Sequence, residues 1–390
     1  MKRLLASSLG ILMLSSAAVL AADPGVTATE IKIGDVNIMS GPASFIGRAV
    51  SLGSKIAAAE INAAGGVNGR KIAVVTEDDG YVPSRSFQSL KKLIEVDQIF
   101  ALNGTSGTAN VLAMMPLITD NKLPTVVTTA PNDLVYTPVR PTVFTIGANY
   151  QDAFFAQLKY IHEKMEPANA VYGLIRQDDD FGATIEEGYD RAVKQFKLKD
   201  GIRLKFKRGQ SNFSAELAQL RDAGVNVLAN GGIIAGAANI LSEARKLNMD
   251  LRVASVWSED MPPSVNLSSP AGYPYLVGDY IALNDAADDK FVENAKKYVS
   301  ADEMKAYNRY TVLTYVGLKV MAKAMGACGK ELTRACTVEQ LRKIKDFDTA
   351  GLMAPLSFDN PKQLAGTAVK VYQLDLPTKT FKSLVGFTQY

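Results

Sequence analysis

One histidine and two cysteines in 390 residues leave very little for metal chemistry. Zinc sites draw on Cys and His clusters at set spacings, and His162 has no such company. No metal or cofactor is expected. His162 lies within the helical stretch "LKYIHEKMEP", far from any serine-bearing turn, so a Ser-His-Asp arrangement has no base. No G-x-S-x-G, H-E-x-x-H or G-x-G-x-x-G follows a strand-like run. Carboxylate pairs occur, but 40 acidic residues supply some by chance. The chain reads as a binder, not an enzyme.

An excess of one charge is missing too, since 43 basic residues face 40 acidic ones. That balance gives no electrostatic footprint for nucleic acid and no polybasic run for an anionic membrane. Long apolar runs are confined to the start, where Lys2 and Arg3 precede "LLASSLGILMLSSAAVL" and "AAD". This is the pattern of a secretory signal over residues 1–21, cut after Ala21, and it falls short of the ~20 strongly apolar residues of a membrane span. Its removal takes the formal charge from +3 to +1. No cysteine lies near the cut to accept a lipid, so a soluble exported product is expected. In that compartment Cys328 and Cys336, in "GACGKELTRAC", read as a local disulfide, the alternative being two buried thiols.

What is present is an alternation. "EIKIGDVNIM" reads as a strand, "GRAVSLGSKIAAAEINAAGG" as a helix with a glycine cap, and "KIAVVTEDD" as a second strand. "SRSFQSLKKLIEVD", "QIFAL", "NVLAMMPLITDN" and "LPTVVT" continue it, and the pattern restarts at "YQDAFFAQLKYIHEKM" and runs to "LRVASVWSED". Short loops between alternating strands and helices mean crossovers and a parallel sheet. Two doubly wound lobes with a cleft between their sheet edges are expected, ligands sitting beyond the carboxyl ends of strands. "VKVYQLDLPTKTFKSLV" returns to the second lobe as two strands.

"ALNGTSGTAN" joins the third strand to a helix. Free amides and the dipole at a helix start suit an anion. A phosphate loop would carry a lysine after its last glycine, where Thr108 stands, so a carboxylate fits better. Gly104, Thr105, Ser106 and Gly107 lie between the strand end and that helix start, and the first three are the candidates, although an ordinary capped helix gives the same residues. "VVTTAPND" would bring Thr128, Thr129 and Ala130 beside them, although a turn opened by Pro131 and Asn132 reads equally well. "DDD" at 178–180 lacks the further oxygens and closing Glu of a calcium loop, and reads as a helix cap.

"IKIGDVNIMSGPASFIGR", "AAEINAAGGVNGRKIAVVTEDDGYVPSRS", "QDDDFGATIEEGYDRAV" and "YNRYTVLTYVGLKVMAKAM" resemble the leucine/isoleucine/valine-binding proteins, solute receptors of bacterial ABC importers. The resemblance covers essentially the whole mature chain. It implies two α/β lobes joined by a three-segment hinge, here 27–147 with 281–357, and 148–280 with 358–390. It further implies a periplasmic monomer that hands a small solute to an inner-membrane permease with ATPase subunits. By position, Gly104, Thr105, Ser106, Thr129 and Ala130 match the segments that hold the ligand carboxylate. Phe181, Ile233, Ile46 and Tyr310 match the residues around its side chain, and Glu259 matches the partner of its ammonium, with Asp260 open as the alternative. Ile46 and Ile233 replace residues that are often aromatic in amino-acid binders. A branched-chain or other apolar amino acid is thus the expected ligand, and an aromatic carboxylate, short amide or urea-like solute the competitor.

Overall fold

The structure, a computed structural model, describes residues 23–282 and 286–390. The expected signal segment lies outside the described residues. Two sheets organise the chain. The first contains β1 (Glu30–Asn37), β2 (Lys71–Asp78), β3 (Ala101–Thr105), β4 (Thr125–Val127), β5 (Val143–Ile146) and, much later in sequence, β11 (Leu364–Ala365). The second contains β6 (Tyr172–Gln177), β7 (Asp200–Phe206), β8 (Val227–Gly231), β9 (Arg252–Ser255), β10 (Leu276–Asp279), β12 (Val369–Asp375) and β13 (Thr380–Thr388).

Their orders are β11-β5-β4-β3-β1-β2 and β13-β12-β10-β9-β8-β6-β7. Every pairing in the first sheet is parallel, and in the second only β12 runs antiparallel, to β10 and to β13. Both lobes are doubly wound. Burial explains the composition, because β3, β4, β5, β6 and β8 are covered on both faces and carry few charges, while the edge strands β2 and β7 are half-exposed. Helices Ser44–Ala63 and Arg309–Ala327 pack together on one face of the first sheet. Helices Pro83–Glu95 and Thr108–Asp120 enclose Val36, Leu102, Met114 and Val127 on the other.

Three segments cross between lobes, at 147–149, 280–282 and 366–368. Gly147 is required where the first meets the second: its φ is 116°, and a Cβ there would lie 2.4 Å from the Tyr280 ring. The third crossing comes later than the expected boundary at 357. Residues 358–365 stay with the first lobe, since β11 pairs with β5 and the Phe358 ring packs edge-on to Phe144 at 5.3 Å. Two residues of strand in "PKQLAG" carry no periodicity from which to read that pairing.

Cys328 and Cys336 are bridged. Cys336 sits in the first turn of helix Arg334–Arg342. His162 lies in a π-helical turn at Ile161–Met165, its Nδ1 3.0 Å from Glu166 Oε1. Among the described residues no helix is long and apolar enough to cross a membrane.

Candidate ligand-binding cleft

The carboxyl ends of both parallel sheets face one another, and the residues just past each strand meet in a cavity of about 40 Å³. The first lobe contributes Ile46, early in the helix after β1, Tyr81 after β2, Thr108 after β3, Thr129 after β4, and Tyr310 at the start of helix Arg309–Ala327. The second contributes Tyr150, Phe181, Ile233, Trp257 and Ser258. A larger cavity of about 650 Å³ lies on the flank of the second lobe, at the amino ends of β9 and β10. The cleft is the better site, because ligands of open α/β sheets sit at the carboxyl ends. At 40 Å³ it is nearly shut, so a guest enters only with the lobes further apart.

Caps fix the rings that line it. Asn149 accepts from Asp152 N (2.7 Å) at the start of the helix bearing Tyr150. Asn308 accepts from Tyr310 N (3.0 Å). Tyr150 stacks on Trp257 with centroids 4.3 Å apart, and Phe181 meets Tyr150 edge-on at 4.9 Å. The result is a wall of flat apolar faces.

Opposite it lies the start of helix Thr108–Asp120. No side chain caps this helix, Gly107 before it has φ 83°, and both Gly107 and Thr108 reach the cavity. The uncapped helix start that reaches the cavity is thus at Gly107 and Thr108, one and two residues past the Gly104–Ser106 segment. β3 runs on through Thr105 instead of ending at Leu102, and that extension moves the loop along. Gly104 N donates to Asp35 Oδ1 (2.8 Å), and a Cβ on Gly104 would meet that carboxylate at 2.5 Å. Thr105 is fully buried, its carbonyl accepting from Thr129 Oγ1. Ser106 Oγ accepts from Ile38 N (3.3 Å). These three, with buried Ala130, stand behind the cavity without lining it. The Thr105 and Thr108 hydroxyls have no protein partner, and only the second belongs to a lining residue.

Ile46, Thr129, Phe181, Ile233 and Tyr310 are brought together at the cavity. Glu259 is not among its lining residues. Its Oε1 accepts from Ile234 N (2.6 Å) and is 3.5 Å from Ser258 Oγ, and its Oε2 accepts from Ser268 Oγ (3.4 Å). Burial outweighs these bonds and pushes its carboxyl up to about 8. Asp260 turns toward Arg309, its Oδ2 3.6 Å from Nε. Its carboxyl is raised well above the usual range, first by burial and then by the Asp279 charge.

Tyr81, Thr108, Tyr150, Trp257 and Ser258 were not singled out by sequence reasoning. Trp257 and Ser258 lie in the "WSEDM" segment that was, and Thr108 lies two residues past Ser106. The rings of Tyr81 and Tyr150 look like core aromatics in sequence and carried no signal.

Residues 30–380 match the model of a family described as periplasmic binding protein. A leucine-specific-binding protein of Salmonella typhimurium is 24% identical over 362 residues, covering 91% of this chain and 93% of its own. A Thermus thermophilus branched-chain amino acid ABC transporter protein, solved with bound valine, superposes with a TM-score of 0.83 at 16% identity, covering 93% and 97% of the two chains. A solute-binding protein from R. palustris in complex with 4-hydroxybenzoate gives 0.79 at 18% identity, covering 92% and 97%.

Proposed function

The chain belongs to the periplasmic binding protein family, and from that premise we propose that it is the solute receptor of an ABC importer for a small aromatic monocarboxylate. It works in the periplasm as a monomer and delivers its solute to a membrane permease. The carboxylate lies at the start of helix Thr108–Asp120, against the free Thr108 hydroxyl and the backbone amides, with Thr129 alongside. The ring packs among Tyr150, Phe181, Trp257 and Ile233. Its burial contributes roughly 1.5–3 kcal/mol.

The observation that carries this reading is the engagement of Glu259. A carboxylate facing the cleft is the strongest partner for an α-ammonium, and this carboxyl is committed to Ile234 N–H and two serines, with burial favouring its neutral form. Among the described residues, none that lines the cavity is acidic. A branched-chain amino acid is the second reading, favoured by the curated relatives that bind leucine and by aromatic faces able to take an ammonium.

Calorimetric titration of the wild type and Glu259→Gln with benzoate and with L-leucine separates the two. The aromatic-acid reading expects benzoate binding that the substitution changes by less than about twofold. Leucine binding in the wild type that is lost in Glu259→Gln overturns it in favour of the amino acid.

A further inference from the structure

We propose that Arg208 is a positioning residue that holds the lobes closed over the solute, joining a cavity-lining ring of one lobe to a cavity-lining helix start of the other. The inference rests on the reading of the inter-lobe cavity as the solute site. Arg208 follows β7, and its side chain spans the gap to the first lobe. Nη1 donates to the Tyr81 carbonyl at 2.9 Å, Nη2 donates to Asp179 Oδ2 at 2.7 Å, and the guanidinium lies 4.0 Å from the centre of the Tyr81 ring. A planar fork makes all three contacts at once, which an ammonium cannot do.

Each end of this clasp is anchored to the cavity. Tyr81 stands at φ 65°, a conformation unfavourable for a bulky residue, and its N–H donates to Asp79 Oδ1 at 2.8 Å. Asp79 is held in turn by Ser86 Oγ (2.8 Å) and by Asn110 Nδ2 (2.9 Å), in the first turn of the helix that begins at Thr108. On the other side Asp179 caps helix Asp180–Phe196, accepting from Gly182 N at 3.1 Å, next to Phe181. Thr108 and Tyr81 are thereby tied to Phe181 through one guanidinium.

Its position gives it leverage. The crossings leave the sheets at β5 and β11 in one lobe and at β10 and β12 in the other, whereas Tyr81 and Arg208 follow β2 and β7, the opposite edges. Four strand spacings separate β10 from β7, about 19 Å at ~4.8 Å each. Opening about the hinge separates this pair widely, while Arg309 and Asp279, beside the second crossing, move little. The clasp exists only in the closed state. It therefore acts on solute release, not on capture.

Trp257, the chain's one tryptophan, lines the cavity and reports occupancy by fluorescence. Stopped-flow measurement with benzoate is expected to give Arg208→Ala an off-rate raised about tenfold and an on-rate within about threefold of wild type. Arg208→Lys, which keeps the charge facing Asp179 but not the fork, restores less than half of the loss. An unchanged off-rate in Arg208→Ala, or full rescue by lysine, overturns the proposal. Should benzoate fail to bind the wild type, the solute reading fails while the clasp remains testable. Spin labels at exposed Lys91 and Lys194, on helices of opposite lobes, then compare inter-lobe distances. A wider distribution in Arg208→Ala supports the clasp, and superimposable distributions overturn it.

Discussion

Arg309 and Asp279 grip one another across the hinge. Arg309 opens the long helix of the first lobe, and Asp279 ends β10 in the second, one residue before the chain crosses. Nε donates to Oδ2 at 2.7 Å and Nη2 to Oδ1, with both side chains fully buried. The rings of Trp257, Tyr280 and Tyr310 surround the guanidinium at 5.0–5.3 Å. Two rings that line the cavity are thus braced from behind by a buried ion pair.

Removing one member should cost more than removing both charges. Asp279→Ala leaves the guanidinium buried without its main partner and is expected to lower stability by about 3–5 kcal/mol. Arg309→Met combined with Asp279→Asn keeps an oxygen for Tyr280 N–H and is expected to lose clearly less. Denaturant unfolding followed by Trp257 fluorescence measures both. Equal losses would mean that the pair is not held as described.

The helix start makes a sharper prediction about binding. Thr108→Ala removes a buried hydroxyl that has no protein partner, from a residue that lines the cleft, so carboxylate affinity should fall by roughly 1–3 kcal/mol with little change in stability. Thr105→Val, three residues earlier and behind the cavity, should leave affinity unchanged. Calorimetry on the two variants checks the register of the cradle, and the reverse pattern would move it back to 104–106.

Much of the architecture was legible because hydrophobic period and turn residues are local signals. "IKIGDVNIM" and "KIAVVTEDD" read as strands for that reason, and the final hairpin from Val369 to Thr388 was expected. Four-residue strands such as "VFTI" and "LVGD" were not seen, being too short to show a period. The site was less legible. Strand β3 outlasted its apolar run, since Asn103 and Thr105 are buried despite being polar, and this put Gly107 and Thr108 at the cavity in place of Gly104 to Ser106. The direction of Glu259 was unreadable in principle, because it is set by the distant amide of Ile234.

Stability should decline as the medium becomes more basic. Burial raises the Asp35 carboxyl to about 7 despite the hydrogen bond from Gly104 N, and raises Glu259 to about 8. Unfolded carboxyls release their protons near pH 4, so between there and pH 7–8 the native state holds protons the unfolded chain has lost. Folding is therefore favoured at the acidic end and loses ground as pH rises through that interval. Asp35→Asn should flatten the portion below pH 7 and remove a penalty of up to about 4 kcal/mol at pH 8. Melting curves from pH 5 to pH 8 test the sign, and a wild-type stability that climbs over that range would refute it.

Crystals grown with 4-bromobenzoate test the central claim most directly, because anomalous scattering marks the bromine without reference to any phasing model. The account predicts one peak between the lobes, among Tyr150, Phe181 and Trp257, with the carboxylate in hydrogen-bonding reach of Thr108 and its helix. A peak only in the flank cavity beside Arg245 and Tyr273, or a carboxylate turned away from Thr108, would contradict it.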